Sequence, residues 1–320
     1  MSTSPFPASQ NKDPAADGCL EKLVGAVRRR FPQLPLYEQE PMAMHCSFRT
    51  GGPARALALP QTEQELLALC SLAREAGVTP LLLGNGTNLV FPDEGCSRFV
   101  LGTGKMQELC LMEEREILAS AGVSLSRLAS FACDNALTGL EFASGIPGTV
   151  GGGLLMNAGA YGGELKDCVK SVRALSVKSG EIAEVPGSAC GFGYRQSVFQ
   201  NGEYVLLSAV FRMERGEPSA ISEKMRELNR RRREKQPLDM PSAGSTFRRP
   251  SGYYAAALIE ECGLKGVSVG GAQVSEKHAG FIVNTGTATT KDLAELIDLV
   301  RKTVYRQKQI TLQPEVILVR

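Results

Sequence analysis

Residues 144–164 read SGIPGTVGGGLLMNAGAYGGE and hold eight of the chain's 34 glycines, where average usage of about 7% predicts one or two. Glycine is the costliest residue to order, so it is placed where backbone must take positive φ or lie against another surface. Flexible linkers are polar and repetitive, whereas this stretch carries Val150, Leu154, Leu155 and Met156. It reads as backbone pressed against a large flat ligand with its N–H groups offered to anionic oxygens. A tight loop crossing close to a neighbouring strand is the alternative. A second glycine loop, Leu81 to Phe91 (LLLGNGTNLVF), runs from a strand straight into Gly84-Asn85-Gly86-Thr87-Asn88. Small residues that tolerate left-handed backbone make such a turn a phosphate nest, or a plain hairpin turn. The Rossmann fingerprint is absent, because Leu89 stands where its third glycine would. Nor is Gly102-Thr103-Gly104-Lys105 a P-loop. Two phosphate-friendly loops about 60 residues apart suit a long dinucleotide such as FAD.

Three further segments could do chemistry. In Gly191-Phe192-Gly193-Tyr194-Arg195-Gln196-Ser197, an arginine follows a Gly/aromatic turn and offers a fixed, always-charged fork to a carboxylate or phosphate. In residues 241–250, PSAGSTFRRP, Ser242 and Ser245 lie beside Arg248 and Arg249. A positive field makes a serine hydroxyl a better proton donor; a capped loop is the other reading. Gln313-Pro314-Glu315 leads into a terminal apolar strand, where Glu315 is either an edge gatekeeper or a buried functional acid. Sequence alone favours the gatekeeper.

These segments need elements to hold them. Residues 1–18 are rich in Pro, Ala and Ser and read as a disordered tail. A helix follows, with Leu20, Leu23, Val24 and Val27 on one face. A strand at ALAL is followed by a helix opened by Thr62 with Glu65 in a capping box, and then by the strand PLLLG. This β-α-β start recurs weakly at 117–136, with Ser124 capping the helix. Strand-like segments continue through VRALSV, EIAEV and VLLSAVFRM. A polar helix, Ser219 to Lys235, precedes a third region with the helix YYAAALIEECG, the strand FIVN, a helix from Thr290 to Val304 and the strand VILVR. In the run RELNRRRREKQ, glutamates interleave with the arginines while Ile221, Met225 and Leu228 keep helical spacing. That is a solvated helix face docking between domains, without the aromatic residues of single-strand nucleic-acid binders.

Composition narrows the class. The chain is long enough for about two domains. A net charge of +2 does not suggest nucleic acid as the main partner. Nine cysteines are spread without a CxxC, and two histidines complete the inventory, so metal-site spacing is absent. The cysteines read as small core hydrophobes in a reducing compartment. With no signal-peptide pattern and no apolar run of about 18 residues, the expectation is a cytoplasmic protein without membrane or metal.

The ordered series CSFRTGGPA (46–54), GNGTNLVF (84–91), SGIPGTVGGGLLMNAGAYGGE (144–164), GFGYRQSVF (191–199), PSAGSTFRRP (241–250), ECGLKG (261–266), GGAQVSEKHAGFIVN (270–284) and PEV (314–316) closely resembles the UDP-N-acetylenolpyruvoylglucosamine reductases. The resemblance covers nearly everything from about residue 40 onward and is closest to the family's shorter-loop variant. It implies an α+β fold: a two-part FAD-binding domain of the vanillyl-alcohol-oxidase (PCMH) type plus a C-terminal α+β substrate-binding domain. The expected bounds are 19–213, with lobes at about 19–103 and 104–213, and 214–320. It implies non-covalent FAD, NADPH as co-substrate, a UDP-sugar substrate and a monomer. Arg195 matches the arginine that stabilises negative charge developing on the enolpyruvyl group. Ser245 matches the acid that protonates C2, and Glu315 the acid that helps polarise the substrate carboxyl group. Gly84, Asn85, Gly86, Thr87 and Asn88 match one flavin loop. Gly145, Ile146, Pro147, Gly148, Thr149, Gly152, Asn157, Ala158 and Gly159 match the other. Tyr194, Arg249, Lys265, Gln273 and His278 fall in the motifs of the substrate side.

The chain departs from the family pattern at three places. Ala257 stands where some members carry lysine, Phe247-Arg248-Arg249-Pro250 replaces Phe-Lys-Arg-Pro, and a glycine is missing after EVILV. Another FAD oxidoreductase of this fold acting on a different anion is the alternative enzyme. A non-catalytic flavin module would lack the set of Arg195, Ser245 and Glu315.

Overall fold

The structure is a computed structural model describing residues 14–319. Helix α1 spans Pro14–Arg30. Residues 1–13 of the expected tail lie outside the described residues, but residues 14–18 form the start of α1. Proline is tolerated in a first turn, where its missing N–H has no intrahelical partner, and Ala15 and Ala16 are strong helix formers. The stripe Leu20, Leu23, Val24 and Val27 is buried and packs with Leu66, Leu69 and Leu72 of helix α2, Glu63–Glu75. Thr62 caps α2 by accepting from Glu65 N–H at 3.2 Å. The return arm of the box lands one residue early, with the Glu65 carboxylate accepting from Gln61 N–H at 2.7 Å.

Against these helices lies a four-stranded sheet in the order Leu36–Pro41, Pro53–Ala58, Cys96–Gly102, Leu81–Leu83. Its first pair is antiparallel and the others are parallel. Alternation divides its strands between two cores. Ala56, Ala58, Phe99 and Leu101 join the helices, whereas Leu57 and Val100 join a core shared with the C-terminal region.

The second lobe is a five-stranded antiparallel sheet ordered Ile182–Pro186, Val169–Ser176, Tyr204–Arg212, Glu116–Ser120, Leu109–Glu113. Leu206, Ala209 and Phe211 pack with helices α3 (Leu125–Asp134) and α4 (Val150–Leu155), while Val205 and Leu207 join the core of α1 and α2. Ser124 caps α3 by accepting from Arg127 N–H. Strand Glu116–Ser120 is antiparallel to both neighbours, so 117–136 is not a second βαβ unit. Its partner Leu109–Glu113 arrives by a short hairpin instead.

Helix α5, Pro218–Lys235, carries Leu228 into the second-lobe core beside Leu140 and Phe142. The expected boundary at 213/214 therefore does not coincide with the packing, because the apolar stripe of α5 is buried on the preceding lobe. Beyond it lies an antiparallel sheet ordered Ser242–Ser245, Phe281–Asn284, Ala272–Val274, Ser268–Val269, with helices α6 (Ala255–Glu261) and α7 (Thr290–Lys308). The terminal strand is only Ile317–Leu318, and it pairs in parallel with Leu89–Val90 directly after the first glycine loop.

Asn284 ties this region to the first lobe. Its Nδ2 donates to Phe48 O at 2.8 Å, and its Oδ1 accepts from the N–H groups of Gly286 and Ala288. Asn284→Leu leaves the buried Phe48 carbonyl and the partly buried Gly286 and Ala288 amides unpaired. It should lower the unfolding free energy by about 2–4 kcal/mol in urea titration, whereas an exposed control such as Glu295→Ala should change it by less than about 0.5 kcal/mol.

Candidate active site

The two glycine loops, distant in sequence, meet in space. Asn85 Nδ2 donates to Pro147 O at 2.8 Å, and a Cβ on Gly84 would come within 2.5 Å of Thr149 Oγ1. Gly86 has φ +60° and lies against the backbone of His45 and Cys46, leaving no space for a side chain. Among the described residues, the amides of Asn85, Gly86, Thr87 and Asn88 donate to no protein group. Strand Leu81–Leu83 delivers this run of free donors to the loop contact, as expected of an anion nest.

The glycines of 144–164 divide between two uses. Gly151 packs on Ala121, Gly153 on Leu165 and Leu125, and Gly163 on the ring of Phe142. At these positions the close-crossing alternative is the one the structure adopts. Gly145 instead abuts Asn229 and Arg232 of α5. Thr149 caps α4, accepting from Gly152 N–H at 3.3 Å. Asn157 is fully buried, with Nδ2 donating to Glu164 and to Gly193 O. Both amide hydrogens are thus committed to protein, so the side chain has no free donor to offer a cofactor.

Opposite stands the arginine turn. Gly193 and Gln196 exchange backbone hydrogen bonds at 3.1 and 3.2 Å around Tyr194-Arg195, and Arg195 takes φ +53°. Its Nε donates to Glu315 Oε1 at 2.7 Å and its Nη2 to Gly159 O at 3.3 Å. Glu315 is half-buried, with only 13% of its side chain exposed and its carboxylate committed to Arg195, which excludes the gatekeeper reading. Burial pushes its carboxyl pKa up, against the pull of Arg195 and, less, of Arg248. The Glu315 backbone is fixed on both sides: its N–H donates to Thr246 O, and its carbonyl accepts from Asn88 Nδ2 at 3.1 Å. One residue before Thr246 is Ser245, exposed and paired in register with Phe281, while Ser242 is half-buried. Glu315 therefore joins Arg195, the serine strand at Thr246 and the first glycine loop at Asn88.

The substrate-side residues split. The Tyr194 hydroxyl accepts from Arg249 N–H at 3.1 Å, and the Arg249 guanidinium stacks on Tyr254. Lys265 is paired with Glu260, and Gln273 donates to Gly266 O. His278 is kept below its ordinary pKa by burial, and its Nδ1 accepts from Gly280 N–H, so the neutral ring carries its proton on Nε2. Lys265, Gln273 and His278 share no hydrogen bond with the Arg195–Glu315 pair among the described residues.

Sequence reasoning missed Arg232 and Gln236, and it read Arg248 only as one of the paired charges beside the serines. Arg232 Nε, Gln236 Oε1 and Arg248 Nε are buried without a partner among the described residues. Arg232 extends the stripe 221–225–228 by one further step of four residues, a signal hidden by reading the whole arginine run as solvated. Its neighbours do fit that reading: Arg230 pairs with Glu234 and Arg231 with Glu227. Free loop amides, orphaned guanidinium donors and one acceptor fit a ligand that is both anionic and rich in hydrogen-bonding groups, as FAD and a UDP-sugar are. Among the described residues no group of His, Cys, Asp and Glu could hold a metal, and no helix is long and apolar enough to cross a membrane.

Comparison with known proteins agrees with this geometry. Residues 54–186 match the FAD binding domain family, and residues 236–319 match the family described as UDP-N-acetylenolpyruvoylglucosamine reductase, C-terminal domain. The reductase of Caldanaerobacter subterraneus subsp. tengcongensis is 47% identical over 299 residues, 93% of this chain and 98% of the relative. That of Clostridioides difficile is 45% identical over 277 residues, 87% of this chain and 91% of the relative. The crystal structure of the Thermus caldophilus reductase superposes with a TM-score of 0.76 at 32% identity, covering 90% of this chain and 99% of that one. Similarity of this extent, running through both halves of the cleft, means that the chain belongs to the UDP-N-acetylenolpyruvoylglucosamine reductase family.

Proposed function

We propose that Arg195, Ser245 and Glu315 carry the reduction of UDP-N-acetylglucosamine enolpyruvate to UDP-N-acetylmuramate, the family's step in peptidoglycan precursor synthesis. The enzyme is an FAD-containing oxidoreductase with NADPH as co-substrate. The observation that supports the residue assignment is the 2.7 Å Arg195–Glu315 pair, whose acid is bonded through its backbone to Asn88 of the glycine loop and to Thr246, next to the exposed Ser245. Gly84–Asn88, Gly145–Thr149, Gly152, Ala158 and Gly159 are the loop residues that hold FAD in this reading. The reading also takes 236–319 as the substrate-binding unit, a UDP-sugar as the partner, and the protein as a cytoplasmic monomer. Its nine free thiols suit a reducing compartment.

When bound, FAD supplies the hydride that NADPH gives up and that C3 of the enolpyruvyl group receives. The protein manages the charge this creates. Electron density moves to C2 and the adjoining carboxylate, where the Arg195 guanidinium stands preorganised. Glu315, with its raised proton affinity, holds that guanidinium in place and faces the carboxyl group beside it. Ser245 gives its proton to C2, and the charges of Arg248 and Arg249 lower the cost of the alkoxide left behind.

Three outcomes follow from these roles. Acid precipitation should release all the flavin, because His45 is paired with Glu40 at 2.8 Å and the Cys46 thiol is buried, donating to Thr50 O. Colour retained in the pellet would show a covalent tether. Arg195→Lys keeps the charge and loses the planar fork. Flavin reduction by NADPH should persist while reoxidation by the enolpyruvyl substrate slows severely; equal losses in both half-reactions would make Arg195 structural. Ser245→Ala should slow reoxidation by about 10²–10⁴ with the first half-reaction intact. Ser242→Ala should cost far less in stopped-flow traces, and the reverse order would mean that the donor is misassigned.

A further inference from the structure

Asn157 follows the last turn of α4 in a Schellman arrangement: its N–H donates to Leu154 O at 3.3 Å, and Ala158 N–H donates to Gly153 O at 2.8 Å. This position takes left-handed backbone, here φ +41°. Glycine is its usual occupant, with asparagine used less often. Glycine would serve the cap alone, so the buried asparagine side chain has a separate use.

That use is visible in its bonds. Nδ2 donates to Gly193 O at 3.0 Å and to Glu164 Oε2 at 3.1 Å, and Oδ1 accepts from Lys166 N–H at 3.0 Å. Gly193 O is also the carbonyl that closes the Tyr194-Arg195 turn through Gln196 N–H. On the other side of the turn, Gln200 Nε2 donates to Arg195 O and to Leu155 O, both at 3.0 Å. A left-handed arginine is a strained conformation that persists only where its surroundings over-determine it. Without the buried anchor the turn can relax, and the guanidinium drifts from Glu315 Oε1 and Gly159 O.

We infer that Asn157 is the positioning residue for Arg195, its Nδ2–Gly193 O hydrogen bond locking the turn that aims the guanidinium at Glu315. This inference rests on Arg195 acting as the charge-stabilising group, as proposed above.

Asn157→Gly tests it in the flavin-loaded enzyme, because glycine satisfies the cap and removes only the side chain. Flavin content and reduction by NADPH should stay within about 2-fold of wild type, while reoxidation by the enolpyruvyl sugar nucleotide falls by about 10²-fold, as for a misaimed catalytic group. In an Arg195→Ala background the same change should cost less than about 2-fold, since no guanidinium remains to be aimed. Independently of turnover, the nuclear magnetic resonance signal of Arg195 Nε–H should be sharp in wild type and shifted or lost in Asn157→Gly. Asn157→Asp, which keeps the acceptor for Lys166 N–H but removes both donors, should show the same selective loss and covers a failure of the glycine variant to fold. Wild-type reoxidation in either variant overturns the inference. So do loss of flavin, equal loss in both half-reactions, or a full additional 10²-fold loss without Arg195. Wild-type reoxidation by Arg195→Ala itself would instead overturn the reading of Arg195 on which the inference stands.

Discussion

The arrangement depends on one partly buried ion pair. Arg195 and Glu315 are 120 residues apart and keep only 20% and 13% of their side chains exposed. Desolvating two charges costs several kcal/mol for each ion, and their attraction offsets this only in good geometry with further hydrogen bonds. Both partners are therefore held from several sides. Glu315 is clamped by Thr246 O, Asn88 and the strand pairing of Ile317–Leu318 with Leu89–Val90. Arg195 is clamped by its turn and by Gly159 O. The chain end is thus threaded back onto the first glycine loop, and any ligand of that loop lies next to the acid.

Much of the fold was legible because period and core coincide. The 3.6-residue stripe of α1 and the caps at Thr62 and Ser124 appear where the sequence places them, and FIVN forms a strand without adjustment. What periodicity could not supply was partnership between distant strands. ILAS reads the same whether it opens a βαβ unit or sits inside an antiparallel sheet, since the difference lies in Leu109–Glu113 and Tyr204–Arg212. The edge of α5 was illegible for a related reason: a charged helix joins whichever lobe buries its three apolar positions.

Residue types in the candidate site were legible, and their division of labour was not. A glycine against a ligand and a glycine against a phenyl ring look alike in sequence, yet Gly163 meets Phe142 while Asn85 to Asn88 present free amides. Glu315 read as a gatekeeper because it precedes an apolar strand; only the strand's insertion beside Leu89–Val90 buries it. The roles of Arg195, Ser245 and Glu315 came from family resemblance, and the structure adds that Arg195 pairs with Glu315 and that Glu315 N–H is bonded to Thr246 O, one residue after Ser245.

Charge shows the same contrast between global and local readings. The whole chain is nearly neutral, with 36 basic and 34 acidic residues, and this argued against nucleic acid without indicating what the cleft takes. Locally the charges are sorted. On α5, Arg230 and Arg231 are neutralised one helical turn away by Glu234 and Glu227, whereas Arg232, turned against Gly145, has its Nε buried and unpartnered. Arg195 and Arg248 act on Glu315, the acid paired with Arg195, and the Arg249 N–H is bonded to Tyr194, next to Arg195. Within a partly desolvated cleft such a field acts over several ångströms with little screening, whereas the paired surface charges contribute almost nothing beyond solubility. Such a distribution is compatible with the phosphates of FAD, whose binding-domain family the chain matches. The difference lies in which arginines keep a buried Nε without a partner, Arg232 and Arg248, rather than in how many arginines there are.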